Sequence, residues 1–341
     1  MLSEGQLQVV HALQEAPRAS WAALSSTLKV DPRTIARTFT RLVESGTLRL
    51  MATPGPRLLN SLQFAQLRLR AAPGQAPLLA AHLAQWPQAT TVRVSDGSFD
   101  VHALVIGADH RALLRAVHNT VAVLPAVEAA ELNTALCTID VGRAGRLDSL
   151  SREQVNVLRA IRPASHDRTP VRLTAGDFEI MQVLGIDGRM ETGELARRLD
   201  REPSTVSQRL RRLYADGYLD FVAITVDSAS SYPVIALLWC TADPTEWDAL
   251  IRQLPAKPWL GSFTLTSGAS NMCITAQLQV PAALSRIVKQ LAAISPSLNV
   301  TETQISSHAV KLHTCWLDSN DRFTNVVSDP YAALAKQIGA T

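Results

Sequence analysis

Two short runs of side chains in this sequence have the types and spacing to act on a nucleic acid. In residues 30–48, VDPRTIARTFTRLVESGTL, arginines stand at 33, 37 and 41 and apolar residues at 35, 39 and 42. Helical spacing puts the two sets on opposite faces. With Ile35, Phe39 and Leu42 turned inward, Arg33, Thr34, Arg37, Thr38 and Arg41 project outward. In residues 201–219, REPSTVSQRLRRLYADGYL, the inner positions are Val206, Leu210 and Leu213, and the outer set is Ser204, Thr205, Gln208, Arg209 and Arg212. Arginine suits guanine edges and phosphates, glutamine suits adenine edges, and hydroxyls serve either. Arg197, Arg198, Arg201 and Arg211 add positive charge around the second run, which Glu194, Asp200 and Glu202 dilute. A basic helix face alone is ordinary solvated surface. Its setting and its repetition are what point to DNA.

The setting is three short helices. Leu7, Val10 and Leu13 recur at helical spacing behind a capping Ser3, and a second helix spans about Ser20 to Leu28. Asp31 can cap the third, Pro32 suits its first position and Gly46 its end. The later run repeats this with Phe178, Met181 and Leu184, then Leu195 and Leu199, then Glu202–Pro203 and Gly217. This is the pattern of a helix-turn-helix, whose last helix enters the major groove. A strand follows at 218–227, YLDFVAITVD, as a wing; the equivalent TLRLMATPGPRLLN is broken by Pro54-Gly55-Pro56.

The two runs belong to a longer repetition. An offset of 171 positions relates Gly46 to Gly217, Arg18 to Arg189, Leu24 to Leu195, Gly97 to Gly268, Leu113 to Leu284 and Glu131 to Glu302. A constant offset over most of both halves reads as tandem duplication. After each helix-turn-helix the pattern is strand, helix, strand, turn, strand, helix, strand. FAQLRLR, APLLAAHLAQW, TTVRVSDGSFDVHALVIG and DHRALLRAVHNTVAVL are matched by VIALLWCT, TEWDALIRQL, GSFTLTSGASNMCITAQLQV and PAALSRIVKQLAAI. That order is the ferredoxin-like βαββαβ unit. The fold class is therefore α+β, a winged helix-turn-helix followed by a ferredoxin-like domain, duplicated in tandem. The boundaries read as 1–59, 60–139, a linker at 140–172, 173–229, 230–317 and a tail at 318–341. Within the linker a helix is expected from Ser151 to Ile161, and within the tail YAALAKQIG is helix-like.

PSTVSQRLRRLYADGYL, a linking strand ending in Val226–Asp227, and a ferredoxin-like domain with a glycine hairpin together resemble the Lrp/AsnC family of transcriptional regulators. The resemblance spans nearly the whole chain, twice, and is nearer in the second copy. It implies DNA binding by the first module of each copy, with oligomerisation and small-molecule sensing, often of an amino acid, by the second. The family's hairpin commonly reads Gly-Asp-Tyr-Asp near an effector pocket; here the hairpins read GSFD (97–100) and GASN (268–271). The implied effector positions are Asp96, Gly97, Ser98, Asp100, Gly268, Ser270 and Asn271. Turn chemistry explains Asp96, Gly97 and Asp100 equally well, and the second hairpin lacks both aromatic and carboxylate.

Two rival readings stand beside this: an effector sensor whose helix-turn-helix has lost DNA binding and become a scaffold, and an enzyme class, the siroheme decarboxylases, which resemble the same two-module architecture and carry a histidine-containing basic segment after the helix-turn-helix. The stretches RLMATPGPRLLN and DFVAITVDSASS hold no histidine. No phosphate loop or nucleophile elbow occurs, and no close carboxylate pair lies in a clear site. His308, His313 and Cys315 match no recognised ligand spacing. The expectation is a non-enzyme with no catalytic residue, no metal and no cofactor, whose partners are double-stranded DNA, an effector such as an amino acid, and further copies of the chain. The chain of 341 residues is 47% hydrophobic with a formal charge of +3, so nucleic-acid affinity must come from local clusters. No apolar run approaches the roughly 20 residues of a membrane span. Glu4 argues against a signal peptide, and the four dispersed cysteines suit a reducing cytoplasm.

Overall fold

The computed structural model describes residues 2–140, 147, 149–162, 172–329 and 335. In chain order the elements are α1 (Glu4–Glu15), α2 (Trp21–Leu28), α3 (Pro32–Glu44), β1 (Leu48–Pro54), α4 (Pro56–Leu59), β2 (Gln63–Ala71), α5 (Ala76–Ala84), β3 (Ala89–Ser95), β4 (Val101–Gly107), α6 (His110–Val121), β5 (Val127–Asp140) and α7 (Arg152–Ile161). They continue with α8 (Ala175–Ile186), α9 (Thr192–Arg198), α10 (Pro203–Ala215), β6 (Leu219–Thr225), β7 (Val234–Thr241), α11 (Trp247–Gln253), β8 (Leu260–Thr266), β9 (Met272–Leu278), α12 (Leu284–Ile294), β10 (Asn299–Leu312), β11 (Cys315–Leu317) and β12 (Phe323–Val327). The chain folds into two compact units, and each draws on both halves of the sequence. One comprises Met1–Leu62, Leu147–Thr225 and Arg322–Thr341; the other comprises Gln63–Arg146 and Val226–Asp321.

The first unit holds both helix-turn-helix modules. Ser3 caps α1 through a capping box with Gln6, Ser20 caps α2 by accepting from the Ala23 N–H, and Asp31 accepts from the Arg33 and Thr34 N–H groups at 2.9 and 3.2 Å. These side chains satisfy donors that each helix start leaves open. Gly46 and Gly217 end α3 and α10 with φ of +65° and +73°, a conformation that favours glycine. The strands that follow pair with each other: β1 runs antiparallel to β6, from Leu48 opposite Thr225 to Pro54 opposite Leu219. One apolar core serves both modules, with Leu13, Leu24, Ile35 and Leu42 from the first and Phe178, Leu184, Leu195, Val206 and Leu213 from the second. The linker helix α7 begins at a Ser151–Gln154 capping box and adds Leu158 to this core. Arg159 of α7 meets Glu15 of α1 at 2.7 Å. Burial raises the Glu15 pKa, but hydrogen bonds from His11 and Arg159 outweigh it and bring it to about 2. Apart from Ala335, which packs against this core, the helix-like stretch of the tail lies outside the described residues. Ahead of that stretch, where no strand is read from the sequence, Phe323–Val327 is extended, and the Phe323 N–H donates to the Gly46 carbonyl at 2.8 Å.

The second unit holds both ferredoxin-like modules. Each contributes four antiparallel strands, in the orders β3-β4-β2-β5 and β8-β9-β7-β10. The two sheets join at both edges, β5 to β8 and β10 to β3. Leu79, Leu83, Leu113 and Val117 of α5 and α6 cover one face of the first sheet, and Leu250, Ile287 and Leu291 of α11 and α12 cover the second. Strand alternation turns a polar set to the opposite faces, among them buried Arg68, His102, Asn133, Thr264, Gln277 and Gln304. These two polar faces meet within the one chain, where Arg68 of the first sheet lies 4.3 Å from the Trp239 ring of the second.

Candidate nucleic-acid interface

Helix α3 presents the outward set as expected of its pattern. Ile35 and Leu42 are buried, Phe39 is half-buried against the ring of Trp21 with centroids 5.5 Å apart, and Arg33, Thr34, Arg37 and Arg41 are exposed, with Thr38 half-buried. Among the described residues Arg33, Arg37 and Arg41 have no ion-pair partner. Three unneutralised guanidiniums thus lie on one helix face, free to meet phosphate or a guanine edge.

Helix α10 differs. Ser204, Thr205 and Gln208 are exposed, but Arg209 and Arg212 are half-buried. Asp177 of α8, fully buried, takes the Arg212 guanidinium at 2.8 Å and that of Arg209 at 3.6 Å. Its other oxygen accepts from the Thr174 N–H and hydroxyl, both at 2.9 Å. Thr174, Thr205, Gln208, Arg209 and Arg212 line one polar hollow. Nearby, Arg197 and Arg198 pair with Glu194, and Arg201 pairs with Glu179 at 2.7 Å. Asp177 was not singled out in the sequence, although the three-residue spacing from Thr174 is that of a capping box.

The modules are locked by a reciprocal contact. Arg18, in the turn between α1 and α2, donates to the Gly188 and Met190 carbonyls at 2.6 and 3.2 Å. Arg189, its counterpart at the 171-residue offset, donates to the Pro17 and Ala19 carbonyls at 2.7 and 2.8 Å. Arg189 also lies over the Trp21 ring at 3.7 Å, and Arg18 over Phe221 at 5.0 Å. Burial lowers both pKa values, that of Arg189 to about 10 with repulsion from Arg18 contributing.

The effector positions lie in the second unit, and all have structural partners. Asp96 accepts from the Ile305 N–H at 2.6 Å, Ser98 donates to Glu302 at 2.5 Å, and Asp100 accepts from the Ala71 N–H at 2.9 Å. In the second hairpin Asn271 makes the matching bonds to Ala242, and Ser270 meets Thr301 at 3.0 Å. Gly97 and Gly268 have φ of +95° and +104°, with the Gln304 and Asn133 side chains directly beneath them. At the polar centre Arg68 pairs with Glu302 and Glu131 and is stacked 4.3 Å from the rings of both Phe99 and Trp239. Arg68 and Trp239 are counterparts at the offset, a substitution that pairwise letter matching passed over. His102 is buried beside them, donating from Nε2 to the Phe99 carbonyl at 2.9 Å, and burial followed by the Arg68 charge pushes its pKa down to about 4. No cluster of three or more His, Cys, Asp or Glu side chains placed to hold a metal ion occurs among the described residues, and none of their helices is long and apolar enough to cross a membrane.

With this geometry in view, the likenesses to known proteins divide in two. A family model described as winged helix-turn-helix DNA-binding matches residues 177–220, from Asp177 through α10 into β6. The chain therefore carries a winged helix-turn-helix DNA-binding module. Uncharacterized HTH-type transcriptional regulators of Pyrococcus abyssi and Pyrococcus horikoshii are each 26% identical, over 148 and 142 residues. These cover 43% and 41% of this chain, and 93% and 90% of those proteins. Over the whole chain the fold resembles that of the siroheme decarboxylase NirDL, crystallised in co-complex with an iron-uroporphyrin III analogue. The TM-score is 0.60 at 12% identity, covering 91% of this chain and 93% of that one. That match corrects the expectation of a non-enzyme drawn from sequence: the complete architecture is one that an enzyme uses. The missing histidine concerns only two short stretches, whereas the likeness of fold covers 91% of this chain.

Proposed function

We propose that this chain is a sequence-specific, DNA-binding transcriptional regulator of the Lrp/AsnC type, built from two fused copies and acting in the cytoplasm. The observation that carries the reading is the α3 surface: Arg33, Arg37 and Arg41 stand exposed on the third helix of a helix-turn-helix and have no ion-pair partner among the described residues. Thr34 and Thr38 stand with them, and Ser204, Thr205 and Gln208 of α10 form a second reading surface in the same unit. The relatives that are HTH-type regulators support this assignment. In the reading, Asp96, Gly97, Ser98, Asp100, Gly268, Ser270 and Asn271 frame the ends of the ferredoxin-like modules where a small effector such as an amino acid, or another copy of the chain, acts. The test is selection of bound duplexes from a random pool by the full chain. Enrichment of one sequence supports the proposal, and uniform recovery of all sequences refutes it.

The whole-chain fold likeness favours a second reading, a siroheme decarboxylase-like enzyme. Incubation with siroheme decides it: release of carbon dioxide with a changed absorption spectrum supports the enzyme, and an unaltered spectrum removes it.

A further inference from the structure

The second helix-turn-helix carries its own anion. Asp177 is fully buried and pinned by Thr174, so its carboxylate stays in place, while Arg209 and Arg212 reach it from the outward side of α10 with about a third of their side-chain surface exposed. Gly176 makes room for this: a Cβ there would come within 2.9 Å of the Arg209 Nη1. At the offset, Asp177 corresponds to Gln6, which fills the same capping-box place on α1 without a charge, and Arg212 corresponds to Arg41, which is exposed and has no ion-pair partner among the described residues. Among the described residues one module thus shows three guanidiniums without an ion-pair partner, while in the other Arg212, the counterpart of Arg41, and Arg209, at the place of Thr38, are neutralised from within.

We propose that Asp177 stands in for a DNA phosphate, holding Arg209 and Arg212 back from the duplex. The first module then supplies the electrostatic grip, and the second reads through the neutral Ser204, Thr205 and Gln208. This rests on the DNA-binding reading above. The physical reason is competition: a phosphate must replace charge-assisted bonds already made to a fixed, desolvated carboxylate. An arginine that stays on Asp177 neutralises no phosphate and releases no counterion.

The test is the salt dependence of affinity for a selected duplex, measured with the full chain. Each phosphate neutralised adds about 0.9 to the slope of log affinity against log salt. Asp177→Asn keeps the cap acceptor and frees the arginines, so the slope steepens by about 1–2. Gln6→Asp puts a carboxylate at the capping-box position on α1 that corresponds to Asp177, where it is expected to hold Arg41 and make the slope shallower by about 0.9. Unchanged slopes in both variants overturn the inference while leaving DNA binding intact. If Asp177→Asn proves unstable, Gln6→Asp decides alone. A wild-type chain that binds no duplex at all overturns the regulator reading and this inference with it.

Discussion

Arg18 and Arg189 each hold the other's turn: each guanidinium donates to two backbone carbonyls that flank its counterpart in the opposite module. Replacing either by Met leaves two carbonyls without donors and is expected to cost about 1–3 kcal/mol in urea unfolding. Burial, and after it repulsion from Arg18, lowers the Arg189 pKa, so removing one cation relieves the other of that repulsion. Each single variant is relieved of that repulsion but the double is relieved of it only once, so the double is expected to lose more than the sum of the two, and a strictly additive cycle contradicts the contact.

The same pairing sets what the protein can read. Identical recognition helices would call for a palindrome, but Arg33 and Arg37 of α3 correspond to Ser204 and Gln208 of α10. Unequal half-sites are therefore expected within one chain's footprint, about one helical turn apart or a multiple of it. Arg37→Ala is expected to weaken the selected site by about 1–3 kcal/mol and to relax one half-site only. Selected-sequence binding checks this, and two equal half-sites would count against it.

Gly97 is required by shape as well as by φ. Alanine there puts a Cβ within 2.9 Å of the Gln304 Cγ, and Gln304 is buried and donates to the Asp96 and Phe99 carbonyls. Gly97→Ala is expected to lower stability by about 1–3 kcal/mol. Gly74→Ala, at φ +77° but with open space around it, isolates the backbone part at about 1 kcal/mol. Equal melting temperatures for the two variants would show that Gln304 yields.

His102 gives the ferredoxin-like unit an acid sensitivity. Burial and Arg68 lower its pKa from 6.5 to about 4. Between those values the unfolded chain binds a proton that the folded one does not, so stability rises with pH there and falls as pH drops from 6.5 toward 4. Thermal melts of wild type and His102→Gln across this window are expected to converge in their pH dependence outside it and differ inside it. An equal slope for both places His102 outside the acid transition.

Periodicity and punctuation made the individual elements legible: Asp31–Pro32 opens α3, Gly46 closes it, and Pro54–Gly55–Pro56 ends β1 where the strand breaks. The constant offset also made the repetition of modules visible, including Arg18 against Arg189. What local patterns do not carry is pairing between distant segments. Nothing in LRLMATP or LDFVAIT says that each is the other's partner. The Asp177 clamp was hidden for a related reason. It joins the start of one helix to the middle of another, 35 positions apart for Arg212, and its capping role masks its ionic one. The stack of Arg68 on Trp239 was hidden because two counterparts of different chemistry meet at the centre of a polar face.

The mutual pairing of β1 with β6, and of β5 with β8 and β10 with β3, leaves neither half of this polypeptide self-sufficient. A protein cut near residue 150 would expose unsatisfied strand edges in both fragments and an opened core beneath the helices. Such a fragment could recover a native-like state only by capturing a second copy of itself. Shortening this chain to one repeat therefore changes its assembly, exchanging an intramolecular contact that is always present for one that depends on concentration.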